Sequence, residues 1–170
     1  MKTSVLYYSK TGKTKQVAQY IVDGMAFVEG IEAKSFDLEN IDVDFIKKSQ
    51  CIVIGTPTYM FDSCTAIHQF MEEPFRKANL AGKLGGAFAT ARYVYGGSEL
   101  AINGILTKMM CVGMLVYSGG FAHGNPIIHI GPVAIDPHIE ESAEVCKIYG
   151  QRMAQKAKDL FGGVRYGKQA

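Results

Sequence analysis

Hydroxyl side chains cluster near the start of the chain, in the segment Ser9-Lys10-Thr11-Gly12-Lys13-Thr14. The segment follows a strand-like run and precedes a helical pattern. The first N–H groups of a helix have no partner within the helix, and together with the helix dipole they attract an anion. These residue types at this junction predict a binding site for an anion such as a phosphate group.

The ending Gly12-Lys13-Thr14 also occurs in the P-loop of nucleotide-hydrolysing proteins. That pattern requires a glycine five positions before Gly12, and the chain has Tyr7 there. The glycine pattern GxGxxG of dinucleotide-binding proteins is absent from this segment as well. We therefore expect no ATPase activity.

Two further loops follow apolar runs and carry aromatic side chains. Gly55–Asp62 contains small, rigid and aromatic residues, which suit a flat ring with polar edges. Thr90–Glu99 adds an arginine, aromatic residues and two glycines that permit a ligand to approach the backbone. The ligand-lining residues predicted from these loops are Pro57, Thr58, Tyr59, Met60, Phe61, Thr90, Ala91, Arg92, Tyr93, Gly96 and Gly97.

Short apolar runs alternate with helical patterns along the chain. This alternation predicts an α/β fold in three layers, with a five-stranded parallel sheet and helices on both faces. The predicted strands are 4–8, 32–36 at an edge, 51–55, 84–90 and 114–117, and the predicted helices cover 17–28, 43–48, 67–71, 100–109 and 139–161. We expect Pro74 to bound the third helix and Ser98 to cap the fourth. Because ligands bind beyond the carboxyl ends of parallel strands, the three loops should form one site.

Composition indicates one globular domain, which we place at residues 1–163, followed by a loose tail at 164–170. The net charge of +2 and the scattered basic residues argue against nucleic-acid binding, and no apolar run is long enough for a membrane span. The four cysteines are far apart and the histidines lack the spacing of metal ligands. We expect a cytoplasmic protein with free thiols and no metal.

The motif Ser9-x-Thr11-Gly12-x-Thr14 resembles the flavodoxin phosphate loop, which holds the 5′-phosphate of FMN. Gly55-x-Pro57-Thr58 and Gly96-Gly97-Ser98-Glu99 resemble one branch of flavodoxin-like proteins, the NAD(P)H:quinone oxidoreductases typified by the tryptophan-repressor-binding protein, with the related FMN reductases. The resemblance covers residues 1–163. The chain departs from that branch at 59–62, which reads Tyr-Met-Phe-Asp rather than Arg-Phe-Gly, and at 111–114, which lacks a histidine.

The resemblance implies a flavodoxin-like FMN protein in which all the loop residues above bind the cofactor. The predicted activity is electron transfer from NAD(P)H through FMN to a quinone or a similar small acceptor, with no catalytic side chain assigned. One alternative is a flavodoxin, a one-electron carrier that serves redox proteins and has no NAD(P)H site of its own. Another is a flavin-binding regulatory module without turnover.

The segment Ser118–His138 is long and rich in glycine, proline and histidine, yet it contains Ile127, Ile128 and Ile130. Long loops in compact domains usually have a function, and contiguous apolar surface usually marks an interface. We expect this segment to pack against a second subunit in a homodimer or tetramer. Its end at 119–124, including His123, should then lie near the flavin of its own chain, and Cys64 could also lie near the ring.

Overall fold

A parallel sheet forms the middle layer of the computed structural model, which describes residues 1–163. The predicted tail at 164–170 lies outside the described residues. The strands are β1 (Lys2–Tyr7), β2 (Glu32–Asp37), β3 (Ser49–Tyr59), β4 (Asp62–Ser63), β5 (Leu84–Ala91), β6 (Leu115–Val116) and β7 (Val133–Ile135). The sheet order is β2-β1-β3-β5-β6, and β2 is an edge strand as predicted. The predicted α/β fold with its parallel sheet is confirmed.

Two short strands share the fifth position of the sheet. β6 pairs with the beginning of β5, at Leu84 and Gly85, whereas β7 pairs with its end, at Ala89–Ala91. The chain leaves the sheet after Val116 and returns at Val133. The prediction of one strand at 114–117 followed by a loop through residue 138 was therefore incomplete. Part of that loop completes the sheet beside β5.

Helices cover both faces of the sheet. They are α1 (Lys13–Ala26), α2 (Val43–Lys48), α3 (Thr65–Phe70), α4 (Ser98–Cys111) and α5 (Ala143–Phe161). α1 and α5 pack with side chains such as Val5 from one face of β1, and α3 and α4 pack with a second cluster that contains Leu6. Successive strand residues point to opposite faces, which explains the two cores. No helix within residues 1–163 is both long and apolar enough to span a membrane.

Three predicted helix boundaries were wrong. The helix predicted from Ile139 begins with a 3₁₀ turn, Ile139–Ser142, and α5 itself starts at Ala143. Pro74 does not end the third helix, because α3 continues through a π-helical turn, Met71–Phe75, that contains this proline. The change from α-helical to π-helical bonding accompanies a residue that has no N–H to donate. Ser98 is not the cap of α4 but its first residue, and Gly97 precedes it in a left-handed conformation with φ 86°. Ser98 is instead buried beside the second loop.

Candidate functional site

The three loops enclose one cleft of about 770 Å³ at the carboxyl edge of the sheet. Its volume is in the range of small-molecule and cofactor sites. Every predicted site residue lines it except Ser9, Gly12 and Gly97. The residues that line the cleft are Lys10, Thr11, Lys13, Thr14, Pro57, Thr58, Tyr59, Met60, Phe61, Thr90, Ala91, Arg92, Tyr93, Tyr95, Gly96 and Asp136. The structure thus brings together three loops that are far apart in sequence, at 9–14, 55–62 and 90–99.

One end of the cleft is formed by the first loop and the start of α1. Gly12 is the N-cap of α1 with φ 85°, a backbone conformation that favours glycine, and no side chain caps the helix. The first N–H groups of the helix are therefore free to bind a ligand. Gln16 is the first residue whose N–H is bonded back to the Gly12 carbonyl, at 3.0 Å. This end has the donor set of an anion site.

Hydroxyl groups add to this donor set. The Ser9 Oγ is buried and has no hydrogen-bond partner within residues 1–163. An unpaired buried hydroxyl is costly, which makes it a candidate ligand-binding group. Thr11 is exposed in the cleft, whereas Thr14 is buried with its Oγ1 2.9 Å from the Oγ1 of Thr90. The Thr14–Thr90 bond joins the first loop to the end of β5.

The other end of the cleft includes an unusual hairpin turn. β3 and β4 pair antiparallel, with Tyr59 opposite Asp62, and the two residues between them, Met60 and Phe61, have φ of 51° and 65°. Left-handed backbone costs a non-glycine residue roughly 1–2 kcal/mol. Met60 is 96% exposed and Phe61 is 59% exposed. The turn therefore holds two large apolar side chains at the mouth of the cleft.

Polar contacts behind the turn hold the hairpin in place. The Thr56 Oγ1 accepts a hydrogen bond from the Cys64 N–H at 3.1 Å. The His68 Nε2 lies 3.2 Å from an Asp62 carboxylate oxygen and 3.1 Å from the Ser63 Oγ. A tyrosine phenol is neutral near pH 7, and desolvation, followed by the neighbouring Cys64 and Tyr8, raises the Tyr59 pKa further. The hairpin thus presents uncharged rings to the cleft.

The third loop is packed directly on this hairpin. A Cβ at Gly97 would come within 2.5 Å of the Phe61 ring, and the Thr58 Oγ1 donates to the Ser98 Oγ at 3.2 Å. The Gly96 N–H bonds to the Tyr93 carbonyl at 3.0 Å and closes the turn between them. Tyr93 and Tyr95 remain exposed at the cleft. The two loops therefore form one aromatic surface.

Sequence reasoning did not select two of the lining residues. Tyr95 lies in the predicted third loop but was not chosen. Asp136 follows β7, and its N–H bonds to the Ala91 carbonyl at 2.8 Å. Its carboxylate is 3.1 Å from the Lys13 ammonium. Only the return of the chain to the sheet brings Asp136 to the cleft, so no local pattern could have indicated it.

The segment at 119–124 does not line the cleft, contrary to the prediction. The His123 Nε2 instead lies 2.8 Å from the Tyr117 hydroxyl, and Gly119 and Gly120 line a separate hollow of about 320 Å³. Ile128 is buried in the core cluster that contains Val5, and Ile130 packs against the second cluster, which contains Leu6. The predicted subunit interface therefore has fewer apolar side chains available than the sequence indicated, and the oligomeric state stays a prediction.

The four cysteines are free thiols. Cys51, Cys64 and Cys146 are buried, and Cys111 is exposed. Cys64 packs in the core beneath the second loop and does not line the cleft. Burial raises the pKa of Cys51 to about 12 and that of Cys146 to about 11. Residues 1–163 contain no cluster of side chains suited to a metal ion.

Comparison with known proteins gives consistent matches. A family model described as Flavodoxin matches residues 5–99. A flavodoxin from Clostridium saccharobutylicum is 44% identical, covering 95% of this chain and all of the relative. An NAD(P)H dehydrogenase (quinone) from Chromohalobacter salexigens is 26% identical over 95% of this chain and 99% of the relative. A solved structure of a flavodoxin from the domain Archaea superposes with a TM-score of 0.72 at 27% identity, covering 93% of this chain and 99% of that one.

Proposed function

The chain belongs to the flavodoxin family, and we propose that it is an electron carrier that holds FMN in the cleft and exchanges electrons with a redox protein. Members of this family bind FMN and act with redox partners. The observation that carries the proposal is the 44% identity to a protein named flavodoxin along the whole of that relative. The branch of quinone oxidoreductases predicted from the second and third loops is supported less strongly.

The residues of the cleft fit FMN at both of its ends. A phosphate group needs several hydrogen-bond donors, and the start of α1 offers free N–H groups together with the buried, unpaired hydroxyl of Ser9. A flat ring system needs apolar walls, and Tyr93, Tyr95 and the Met60–Phe61 turn supply exposed apolar surface. Lys10, Thr11, Lys13 and Thr14 of the first loop line one continuous cleft with the aromatic residues of the other two loops, and Ser9 and Gly12 directly adjoin these four residues in sequence.

In this proposal the first loop binds the phosphate through Ser9, Thr11, Thr14 and the backbone N–H groups around Gly12. The aromatic residues of the other loops orient the ring and exclude water from its faces. When bound, FMN supplies the electron-accepting and electron-donating chemistry, and the protein supplies binding and electrostatics. Thr14 also holds the first loop against Thr90, so the phosphate end and the ring end keep a fixed separation.

Access for a partner follows from the exposed side chains at the mouth of the cleft. Met60 and Tyr95 are each more than nine-tenths exposed. Aromatic residues and methionine are enriched in protein interfaces. We therefore place the contact with the redox partner at this mouth.

A second candidate function is oxidation of NAD(P)H with transfer of the electrons to a quinone. The observation that favours it is the 26% identity to an NAD(P)H dehydrogenase (quinone) over 95% of this chain. That alignment runs over 200 positions, whereas the chain has 170 residues, so the relative contains segments that this chain lacks. This difference favours the electron carrier.

One set of assays separates the two functions. The protein is reconstituted with FMN, and we expect a yellow complex with no phosphate release from ATP. For a carrier, chemically reduced holoprotein passes electrons to cytochrome c, while NADH and NADPH are not oxidised even when benzoquinone is present. Steady NAD(P)H oxidation with benzoquinone would instead establish the oxidoreductase. Protein that cannot be loaded with FMN contradicts both functions.

A further inference from the structure

Two side-chain contacts join the start of α1 to the segment 136–140, which follows the split fifth strand. The Lys13 ammonium lies 3.1 Å from an Asp136 carboxylate oxygen. One turn further along the helix, the Gln16 amide donates to a Glu140 carboxylate oxygen at 3.1 Å. Asp136 and Glu140 are four positions apart in sequence, and only the first contact joins two residues that line the cleft.

The first of these contacts borders the cleft itself. Lys13 is the first residue of α1, and both Lys13 and Asp136 line the cleft. The backbone of Asp136 is fixed to the sheet, because its N–H donates to the Ala91 carbonyl at the end of β5. The ion pair therefore connects the phosphate end of the proposed site to the strand that leads into the third loop.

The charge of Lys13 is directed to this segment. Its ammonium pairs with Asp136 and also acts on Glu140. The pKa of the Glu140 carboxyl is lowered first by its own backbone N–H, then by Gln16, and to a smaller extent by Lys13. The Lys13 ammonium keeps its full charge in this pair. The nearby carboxylates cancel part of the positive potential that it would otherwise present to an anion in the cleft. Lys13 is therefore better placed to link α1 to the segment after β7 than to bind a phosphate group.

We propose that Lys13 and Asp136 form a clasp that closes this side of the cleft and slows the release of bound flavin. The inference rests on the proposed function, because it requires that the cleft holds FMN. The clasp is a positioning device: neither residue needs to touch the phosphate. It gives a role to the return of the chain at β7, since Asp136 reaches the cleft only through that strand.

The test compares the release of two flavins, because a clasp and a phosphate contact affect them differently. FMN and riboflavin are loaded separately onto the wild type, Lys13→Gln, Asp136→Asn and the double variant, and the dissociation rates are measured by stopped-flow fluorescence. An exposed ion pair contributes only modestly to binding, and salt screens it further. We therefore expect each single variant to release both flavins about two- to fivefold faster at low salt, with no further increase in the double variant.

Controls separate the clasp from a general loss of charge or of stability. Lys15→Gln removes an exposed lysine from the same helical turn that forms no ion pair within residues 1–163, and it should leave both rates unchanged. Lys13→Arg should restore slow release. Thermal unfolding of the flavin-free variants should match that of the wild type, since both side chains are more than a third exposed.

Any one of five results would overturn the clasp. Faster release of FMN alone in Lys13→Gln, with riboflavin unaffected, would make Lys13 a phosphate ligand. Slower release from Asp136→Asn would show that Asp136 repels the cofactor instead of retaining it. Additive effects in the double variant would show that the two side chains act independently. Failure of the wild type to bind either flavin would overturn the proposed function and the clasp with it, whereas tight flavin binding with unchanged variant rates would overturn the clasp alone.

Discussion

The two ends of the cleft are built in different ways. The phosphate end comes from one short segment, 9–14, in which the helix start and neighbouring hydroxyls provide the donors. The ring end comes from two loops that must touch, because the Phe61 ring occupies the space that a side chain at residue 97 would need. The first end is thus determined mainly by local sequence, and the second by tertiary contact.

The energetics of the two ends differ as well. Hydrogen bonds to a charged group contribute roughly 1.5–3 kcal/mol each, whereas an aromatic contact adds roughly 0.5–1.5 kcal/mol beyond burial. The phosphate end should therefore dominate affinity for FMN and hardly affect riboflavin. The ring end should affect both flavins equally. Substitutions at each end test this division.

The largest effect is expected from Thr11→Val combined with Thr14→Val. The two substitutions remove hydroxyls from the phosphate end, so FMN affinity should fall at least ~100-fold, because each 1.4 kcal/mol corresponds to a factor of about ten. Riboflavin affinity should change far less. Isothermal titration with both flavins measures the difference.

A matched control is Thr107→Val, which removes an exposed hydroxyl on α4 whose Oγ1 bonds to the Asn103 carbonyl. It should leave both affinities unchanged. Thr14 also bonds to Thr90, so circular dichroism must establish that the double variant is folded. A folded double variant with wild-type FMN affinity would remove the phosphate from this end of the cleft.

A smaller effect is expected at the ring end from Gly97→Ala. The methyl group meets the Phe61 ring and Cα, at 2.5 and 2.8 Å in the native arrangement, and φ is 86° there. Because the substitution should separate the two loops, we expect the affinity for both FMN and riboflavin to fall about tenfold, or ~1.4 kcal/mol. Gly30→Ala is the control, since Gly30 has φ 81° and nothing within 4 Å of its Cβ position.

The two glycine variants separate backbone strain from contact. Each should lose roughly 1–2 kcal/mol of unfolding free energy from the left-handed backbone. Gly97→Ala should lose more, and it alone should weaken flavin binding. Equal losses of stability and unchanged flavin binding in both variants would show that the contact between the second and third loops does not shape the ring end.

The same contrast explains what could be predicted from the sequence. The alternation of apolar runs and helical patterns was enough for the parallel sheet, and the hydroxyls and Gly12 were enough for the loop at the start of α1. Asp136 was missed because its position depends on a strand of only three residues, β7, inside a segment that lacks a clear strand pattern. The π-helical turn around Pro74 was missed because proline usually ends a helix.

Ile128 shows why the interface prediction was less secure than the fold. An apolar residue in a long loop can cover another subunit or its own core, and the sequence does not distinguish these two places. In the structure Ile128 is 4% exposed and belongs to the core between α1, α5 and the sheet. An Ile128→Asp substitution therefore tests stability before it tests assembly.

The smallest effect concerns Tyr95, a cleft residue that is 91% exposed. Because most of its ring already faces solvent, Tyr95→Ala should remove only part of an aromatic contact and weaken FMN and riboflavin alike by about threefold, or ~0.6 kcal/mol. Phe121→Ala is the matched control, since Phe121 is an exposed aromatic residue that packs on His129 away from the cleft. Fluorescence titration of both flavins measures the change. A loss specific to FMN would place Tyr95 at the phosphate end, and a loss as large as that of the double threonine variant would reverse the ranking of the two ends.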